Sequence, residues 1–498
     1  SSAASDVYKR QTLQRMELLK TGYMGTLSLG WDNYLFLELT GRQERSSTLK
    51  DQSFFYPSAN LSFLFSNAFR MPAWWNHGKL RLSYGVVGNA PETYAANIIY
   101  EQGSDNGFTW NYVPSSWGNA NIRPEKKYEY EIGFESKFLN NRLGFDVSYY
   151  NNRVKDQILS TPQPSTSGVK YVLMNGGEVA NEGWDISVSA TPVLTKNFRW
   201  DLTANYGIYR NKVVKLADGV PYLEISNIGG GGAKIQAVEG RPMGDIYVQV
   251  PQMNENGEYL VSDKGLYMNQ TELQRVGNIN PDGVGGLFSS FSYKNIFLDF
   301  SIDFRIGGDV INEMYQYSTA SGLTPESLQF RDTEHGGLSY YYPGNNNASG
   351  VPVQVDPSLG AGPNGETVYH DGVILPGVVA STGEKNTRII PAGYYYNQTY
   401  NWGTQPEQLT YRHSVFDNSY VKLRELTIGY QFPEKLISKL GMTRLSVSVF
   451  GRNLFYFYKA LKNYDAESSV GTSWASQAVV GGSTTATRNF GVSLRASF

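Results

Sequence analysis

The side chains best equipped to hold a ligand are aromatic rings gathered in long stretches that lack regular hydropathy. Trp110, Tyr112 and Trp117 fall in one such stretch, and Tyr340, Tyr341 and Tyr342 in another. Tyr394, Tyr395, Tyr396, Tyr400 and Trp402 lie further along the second stretch. A ring face stacks on the apolar face of a sugar, while a phenol O–H or indole N–H bonds to its hydroxyls. Rings in loops also pack the loops together or contact a partner protein, and for any single ring that plainer role is the commoner one. A cluster weighs more than one ring.

Other chemistries are weaker. The run IGGGGAK at 228–234 has the glycines of a phosphate loop but not the Gly-Lys-Ser/Thr ending, and it lies in a long irregular stretch, so it reads as flexible loop. Asn254, Asn256, Glu258 and Asp263, in NENGEYLVSDKG, carry the oxygen ligands that calcium takes in an extracellular loop, yet hairpin turns use the same residues far more often. Cysteine is absent, which excludes disulfide scaffolds, thiolate metal sites and Cys nucleophiles. The four histidines, His77, His335, His370 and His413, are scattered, and none stands in a Ser, His and acid constellation. No catalytic residues and no metal site are expected; the chain does not read as an enzyme.

With 43 basic and 45 acidic side chains the formal net charge is -2, which gives no general pull on nucleic acid. Only 18% of residues are charged, against 14% aromatic, an unusual balance for an ordinary globule. No stretch approaches the ~18 consecutive apolar residues of a membrane helix. A transmembrane β-barrel stays open, because alternating strands average to a hydrophilic mean hydropathy.

The elements that must position these side chains are strands. In NFGVSLRASF, Phe490, Val492, Leu494, Ala496 and Phe498 share one face, opposite Asn489, Gly491, Ser493, Arg495 and Ser497. From 296 to 306, Ile296, Leu298, Phe300, Ile302, Phe304 and Ile306 stand opposite a second set that includes Asp299, Asp303 and Arg305. Similar alternation at 80–86, 130–134, 143–149, 184–188, 200–208 and 445–449 brings the count to about thirteen strands, each near the ten residues that cross a tilted bilayer. At Arg424 and Glu425 the apolar phase slips, which predicts a β-bulge. The connections alternate short and long. The long ones, at about 44–55, 89–126, 153–180, 212–283, 307–415 and 455–484, are rich in Gly, Asn, Ser and Pro. Soluble sandwiches give loops no reason to take turns in length; an outer-membrane barrel does, since successive loops face opposite sides. Aromatic pairs at strand ends, Tyr149 with Tyr150 and Tyr430 with Phe432 among them, suit interfacial girdles.

Several segments resemble the SusC/RagA family of TonB-dependent outer-membrane transporters of Bacteroidetes: SVFDNSYVKLRELTIGYQFPEKLISKLGM at 414–442, VSVFGRNLFYF at 447–457, Asp465 in NYDAE, RLSYGVVGN at 81–89, RPEKKYEYEIGFESKFLNNRLGFDVSYYNN at 123–152, NEGWDISVSATPV at 181–193 and VGNINPDGVGG at 276–286. The resemblance covers the chain after its first eleven residues. It implies an all-β fold, the C-terminal part of a 22-stranded transmembrane barrel whose lumen is filled by a plug. Residues 1–11, SSAASDVYKRQ, read as translated sequencing adapter. Residues 12–498 then form a partial barrel without its plug, TonB box and first strands, so the first and last strands become unpaired edges.

By the same resemblance the protein is expected in the bacterial outer membrane as a multi-pass β-barrel. It would import oligosaccharides or peptides with energy from the TonB complex, which acts through the absent N-terminal part, and with a SusD-like surface lipoprotein over its outer mouth. No cofactor is implied. Asp299, Asp303 and Arg305 would face the lumen, toward plug or water. Phe490, Val492, Leu494 and the terminal Phe498 look like the signal read by the barrel-assembly machinery. A passive porin or adhesin-like barrel is the main alternative. A soluble glycan-binding β-protein is the third, and it requires the apolar strand faces to meet in a core.

Overall fold

The computed structural model describes residues 17–498 except 50–52, 98–99, 106–107, 163–165, 167, 218, 401–410 and 483–485. The adapter-like residues 1–11 and Trp402 therefore lie outside the described residues.

Thirteen strands form one antiparallel sheet. They are β1 (Lys20–Trp31), β2 (Leu35–Ser46), β3 (Ser53–Phe63), β4 (Trp75–Asn89), β5 (Glu125–Phe138), β6 (Leu143–Lys155) and β7 (Glu178–Leu194). The series continues with β8 (Phe198–Lys215), β9 (Gly283–Tyr293), β10 (Ile296–Ile306), β11 (Tyr420–Gln431), β12 (Arg444–Lys459) and β13 (Asn489–Ser497). Each pairs with its predecessor in chain order, so the sheet is an uninterrupted meander, and β1 and β13 are its edges. Connections of two to twelve residues join the strands at one end and long insertions lie at the other, except that the connection expected to be long at 44–55 is only the six residues 47–52. The turn after β5 runs Leu139, Asn140 and Asn141 at φ of 56°, 58° and 63°, a left-handed stretch that suits asparagine far better than most residues.

Both faces follow the period-two reading. Leu82, Ile132, Trp184, Ile428, Val449 and Leu494 all project from one face and remain exposed among the described residues. That removes the soluble reading, which needs these side chains in a core. Rings mark both margins of the apolar face. At the short-turn end Trp74 stacks on Trp75 with centroids 5.9 Å apart and on Phe138 at 6.0 Å. Toward the insertions Tyr149 meets Tyr130 at 6.5 Å and Trp184 at 4.9 Å. From Tyr130 to Phe138 a strand rises ~26 Å at ~3.3 Å per residue, or ~20 Å of height at a typical barrel tilt, on the order of the apolar band of an outer-membrane barrel.

The densest packing lies in the insertions. Ile228, Ala233, Ile235, Ile246 and Val248 from the 216–282 segment pack with Ile311, Tyr411, Ala478 and Val479 from two later ones. The long connections thus share an apolar core and form a cap at one end of the sheet.

Candidate functional site

On the face opposite the apolar band, the strands carry a polar wall. Arg81 of β4 reaches across β5 to β6, where its Nη2 donates to Asp146 Oδ1 at 2.6 Å and to Ser148 Oγ at 3.1 Å. Its Nη1 also lies 3.5 Å from Glu135. A groove of about 650 Å³ opens beside this network, lined by Arg81, Asp146, Asp185, Asn205, Tyr209 and Asp303 among others. A second, of about 500 Å³, adjoins it at Tyr209 and is lined by Glu129, Glu131, Tyr150, Asn152 and Asn181. These donors and acceptors suit the recognition of a polar solute; no nucleophile with a base stands among them.

The expected bulge is present. Register slips between Leu423 and Glu425 in the β11–β12 pairing, leaving Arg424 without a partner of its own. The extra residue aims its guanidinium sideways: Nε donates to Asp303 Oδ2 at 2.6 Å, Nη1 to Asn453 Oδ1 at 3.0 Å, and the fork grips Glu467 at 2.5 and 2.9 Å. Lys422, fully buried, adds a 2.5 Å bond to the same carboxylate. Tyr456 donates to Asp465 at 2.5 Å. The family-like Asp465 and its neighbour Glu467 therefore fasten the insertion after β12 to the wall. Burial works against the Glu467 charge, but the bonds from Arg424 and Lys422 outweigh it and hold the carboxyl down at about 2.

The aromatics singled out from the sequence separate into distinct places. Trp110 and Tyr112 stand exposed on a hairpin, Glu101–Asp105 with Phe108–Tyr112. Trp117 belongs to a small sheet, paired through Val172. Tyr340 and Tyr341 belong to a strand of a four-stranded sheet in the cap, and Tyr342 follows it directly. Tyr340 is buried there, stacked 5.4 Å from Tyr369, with its hydroxyl donating to Asp371 at 3.1 Å. Tyr394, Tyr395 and Tyr396 open the helix α1 (Ala392–Tyr400). Tyr396 is buried with its hydroxyl on the Glu326 carbonyl at 2.8 Å, and burial pushes the Tyr395 hydroxyl up to about 12. The structure thus brings two of the three clusters together inside the cap and leaves the hairpin outside it.

IGGGGAK is a tight turn between Tyr222–Ile228 and Ala233–Val238, with Gly229, Gly230 and Gly231 at positive φ. This corrects the expectation of a flexible loop. A Cβ on Gly229 would fall 1.7 Å from the Tyr411 hydroxyl, so the glycine lets the turn seat against the cap core. In NENGEYLVSDKG the side-chain Oδ1 of Asn254 accepts from the backbone amides of Asn256 and Glu258, both at 3.0 Å, and Asp263 accepts from Ser381 at 2.6 Å. Of the lumenal candidates, Asp299 accepts from Ser290 at 2.5 Å and Arg305 donates to the Ile279 carbonyl at 3.1 Å. His413 stacks on Tyr400, and burial, aided by Arg412, pushes its pKa down to about 4. Phe490, Val492, Leu494 and Phe498 line the exposed apolar face of the edge strand and its end.

Sequence reasoning missed Arg81, Asp146, Asp185 and Glu467, and it assigned the strand-end rings Tyr150 and Tyr209 to the interfacial girdles, whereas the structure turns both to the polar inner face. Parity places most of them on the polar face, and that was the available signal; their neighbours across strands depend on register, which parity leaves open.

Residues 3–246 match the family model "TonB dependent receptor-like, beta-barrel". The chain is 22% identical over 469 residues to TonB-dependent receptor P3 of Formosa agariphila, covering 85% of this chain and 39% of that one. It is 27% identical over 256 residues to TonB-dependent receptor SusC of Bacteroides thetaiotaomicron, covering 45% of this chain and 24% of that one. Among solved structures, the RagAB peptide importer in the 'open-open' state superposes with a TM-score of 0.66 at 18% identity, over 97% of this chain and 47% of the other. The chain thus spans less than half the length of each of these three proteins.

Proposed function

We propose that this chain, whose residues 3–246 match the TonB-dependent receptor-like β-barrel model, supplies the C-terminal wall and outer loops of an energy-coupled nutrient importer of the outer membrane. The observation that carries this is the sheet itself: thirteen meandering strands with an apolar outer face, a polar inner face, and every long insertion gathered at one end. In this reading residues 12–498 are part of a longer receptor whose plug and first strands close the barrel. A SusD-like surface lipoprotein docks on the cap and delivers an oligosaccharide or peptide to it. The hairpin that bears Trp110 and Tyr112 supports such docking, since among the described residues these rings stand 48% and 44% exposed. The RagAB neighbours are peptide importers by name, and at 18% identity that likeness supports the fold alone.

Uptake by cells that carry the full-length gene provides the test. Accumulation of a nutrient inside the outer membrane should stop when the inner-membrane proton gradient is collapsed. Uptake that continues unchanged after collapse would replace this reading with the passive porin.

A further inference from the structure

We infer that the inner wall carries a pyranose-binding subsite floored by Tyr150 and Tyr209 and edged by Asp185, Glu129 and Glu131; the inference rests on the importer reading and adds the substrate class. The two rings sit on neighbouring strands of the polar face, their centroids 6.3 Å apart and their planes inclined by 38°. Each is pressed against backbone that lacks a side chain. A Cβ on Gly183 would meet the Tyr150 hydroxyl at 2.4 Å, and one on Gly207 would meet the Tyr209 hydroxyl at 2.7 Å. Glycine at these two positions lets the phenols lie down along the wall, so that they present faces to the lumen where upright rings would present edges. A tyrosine face of this kind is a platform for the C–H face of a sugar ring.

Acceptors surround the platform. Asp185 takes one bond, from the Tyr209 hydroxyl at 3.1 Å, and forms no ion pair among the described residues. Glu131 is held through its backbone pairing with Ser83 and Tyr150, and its carboxylate takes no side-chain hydrogen bond among the described residues. Glu129 is held in place by Lys127 at 2.6 Å and by Asn152 at 3.0 Å, and Asn181 in turn donates to Asn152 at 2.8 Å. Arg81 is engaged by Asp146 and stands to one side. A carboxylate with free lone pairs beside an aromatic face accepts from two vicinal hydroxyls of one ring, which fixes its orientation. An anionic sugar would meet an excess of carboxylate here, so a neutral one fits. The two grooves, of about 650 Å³ and about 500 Å³, share Tyr209, so the platform lies where they join along the wall.

The test uses the full-length receptor purified in detergent and offered two probe mixtures, neutral hexose oligosaccharides and tryptic peptides of casein, with retained ligand identified by mass spectrometry and its affinity measured by calorimetry. The expected result is retention of an oligosaccharide, with affinity lowered about tenfold by Tyr209→Ala and again by Asp185→Asn, each near the worth of one stacking contact or one charged hydrogen bond. Tyr209→Phe should keep the stacking and lose less. Retained oligosaccharide with unchanged affinity in Tyr209→Ala and Asp185→Asn overturns the subsite and leaves the importer standing, with the wall serving plug or water. Retention of peptides alone, or of neither mixture, overturns the pyranose assignment. The uptake measurement above judges the importer reading separately.

Discussion

Replacing Arg424 by Ala should release the insertion that follows β12. The guanidinium holds Glu467 through both nitrogens of its fork and ties the same point to Asp303 on β10 and Asn453 on β12. A charge-assisted bidentate pair contributes about 1.5–3 kcal/mol, and since the two side chains are 30% and 27% exposed the lower half of that range applies, about 2 kcal/mol after solvent screening. Lys422 keeps its own bond to Glu467, so the segment is loosened and not freed. Lys462 stands exposed inside the insertion and offers trypsin a site that requires local opening. When reclosing outpaces cleavage, the rate follows the open population, and about 2 kcal/mol corresponds to ~30-fold faster cutting after Lys462. The measurement is limited trypsinolysis of the full-length receptor in detergent, followed by mass spectrometry. Adding Glu467→Gln to Arg424→Ala should cost less than Glu467→Gln alone, a coupling of about 1–2 kcal/mol. A rise of under about threefold in Arg424→Ala, or strictly additive effects in the double variant, would refute the claim that this bulge anchors the cap.

Acid should loosen the same region. Glu467 is held at about 2 in the fold against an ordinary 4.5, so its contribution is complete above 4.5 and fades as pH falls toward 2. His413, pushed down to about 4 from 6.5, stays neutral while an opened chain takes up a proton, which also favours opening as pH drops through that interval. Hydrogen exchange, corrected for intrinsic rate, should therefore show less protection in 411–414 from about pH 6 downward and in 459–489 only below about pH 4.5; protection independent of pH in both would contradict the two assignments. On the outer face, Phe134→Arg, midway between the Tyr130 and Phe138 margins, should destabilise the receptor in lipid vesicles by about 2–4 kcal/mol in urea titrations, against under about 1 for Thr203→Arg on the inner face, and equal costs would argue against the assigned facing. Phe498→Ser should lower the amount of receptor assembled in the outer membrane while leaving total synthesis unchanged, as read from membrane fractions.

The wall was legible because a strand that meets lipid on one side and polar groups on the other must alternate, and alternation survives in a single sequence. Leu445, Val447 and Val449 disclose their facing with no knowledge of their neighbours. The bulge was legible for the same reason, as a break in phase at Arg424. The partners of Arg424 were not. Glu467 lies 43 residues further along in an irregular insertion, and nothing local distinguishes it from an ordinary turn residue. The cap is harder still: Tyr411 packs on Gly229 across two insertions and two strands, a contact set by the third dimension alone. Ring clusters were therefore visible as composition, while the division between the buried Tyr340 and Tyr396 and the exposed Trp110 and Tyr112 was not.

The same consideration explains why the pyranose platform escaped a reading that searched the loops. Tyr150 and Tyr209 sit in strands, and an aromatic in a strand is usually counted as wall. What marks them is the residue beneath each. Gly183 and Gly207 weaken the strands that hold them, by loss of side-chain packing and added chain entropy. That cost is offset when a ring from the same or the next strand covers the bare backbone, and the ring so placed has its face turned outward from the wall. Gly183→Ala and Gly207→Ala therefore make a sharper probe than removal of the rings. Gly207→Ala keeps both phenols and must lift Tyr209, whose hydroxyl would lie 2.7 Å from the new Cβ; in Gly183→Ala the Cβ also meets the Ile208 carbonyl oxygen at 2.6 Å, so that variant is read only beside a check that the sheet is intact. If flat rings are what the ligand recognises, oligosaccharide affinity should fall in these variants nearly as far as in Tyr209→Ala, with the aromatic content unchanged. Affinity that stays at the parent value would mean that ring orientation is immaterial to binding.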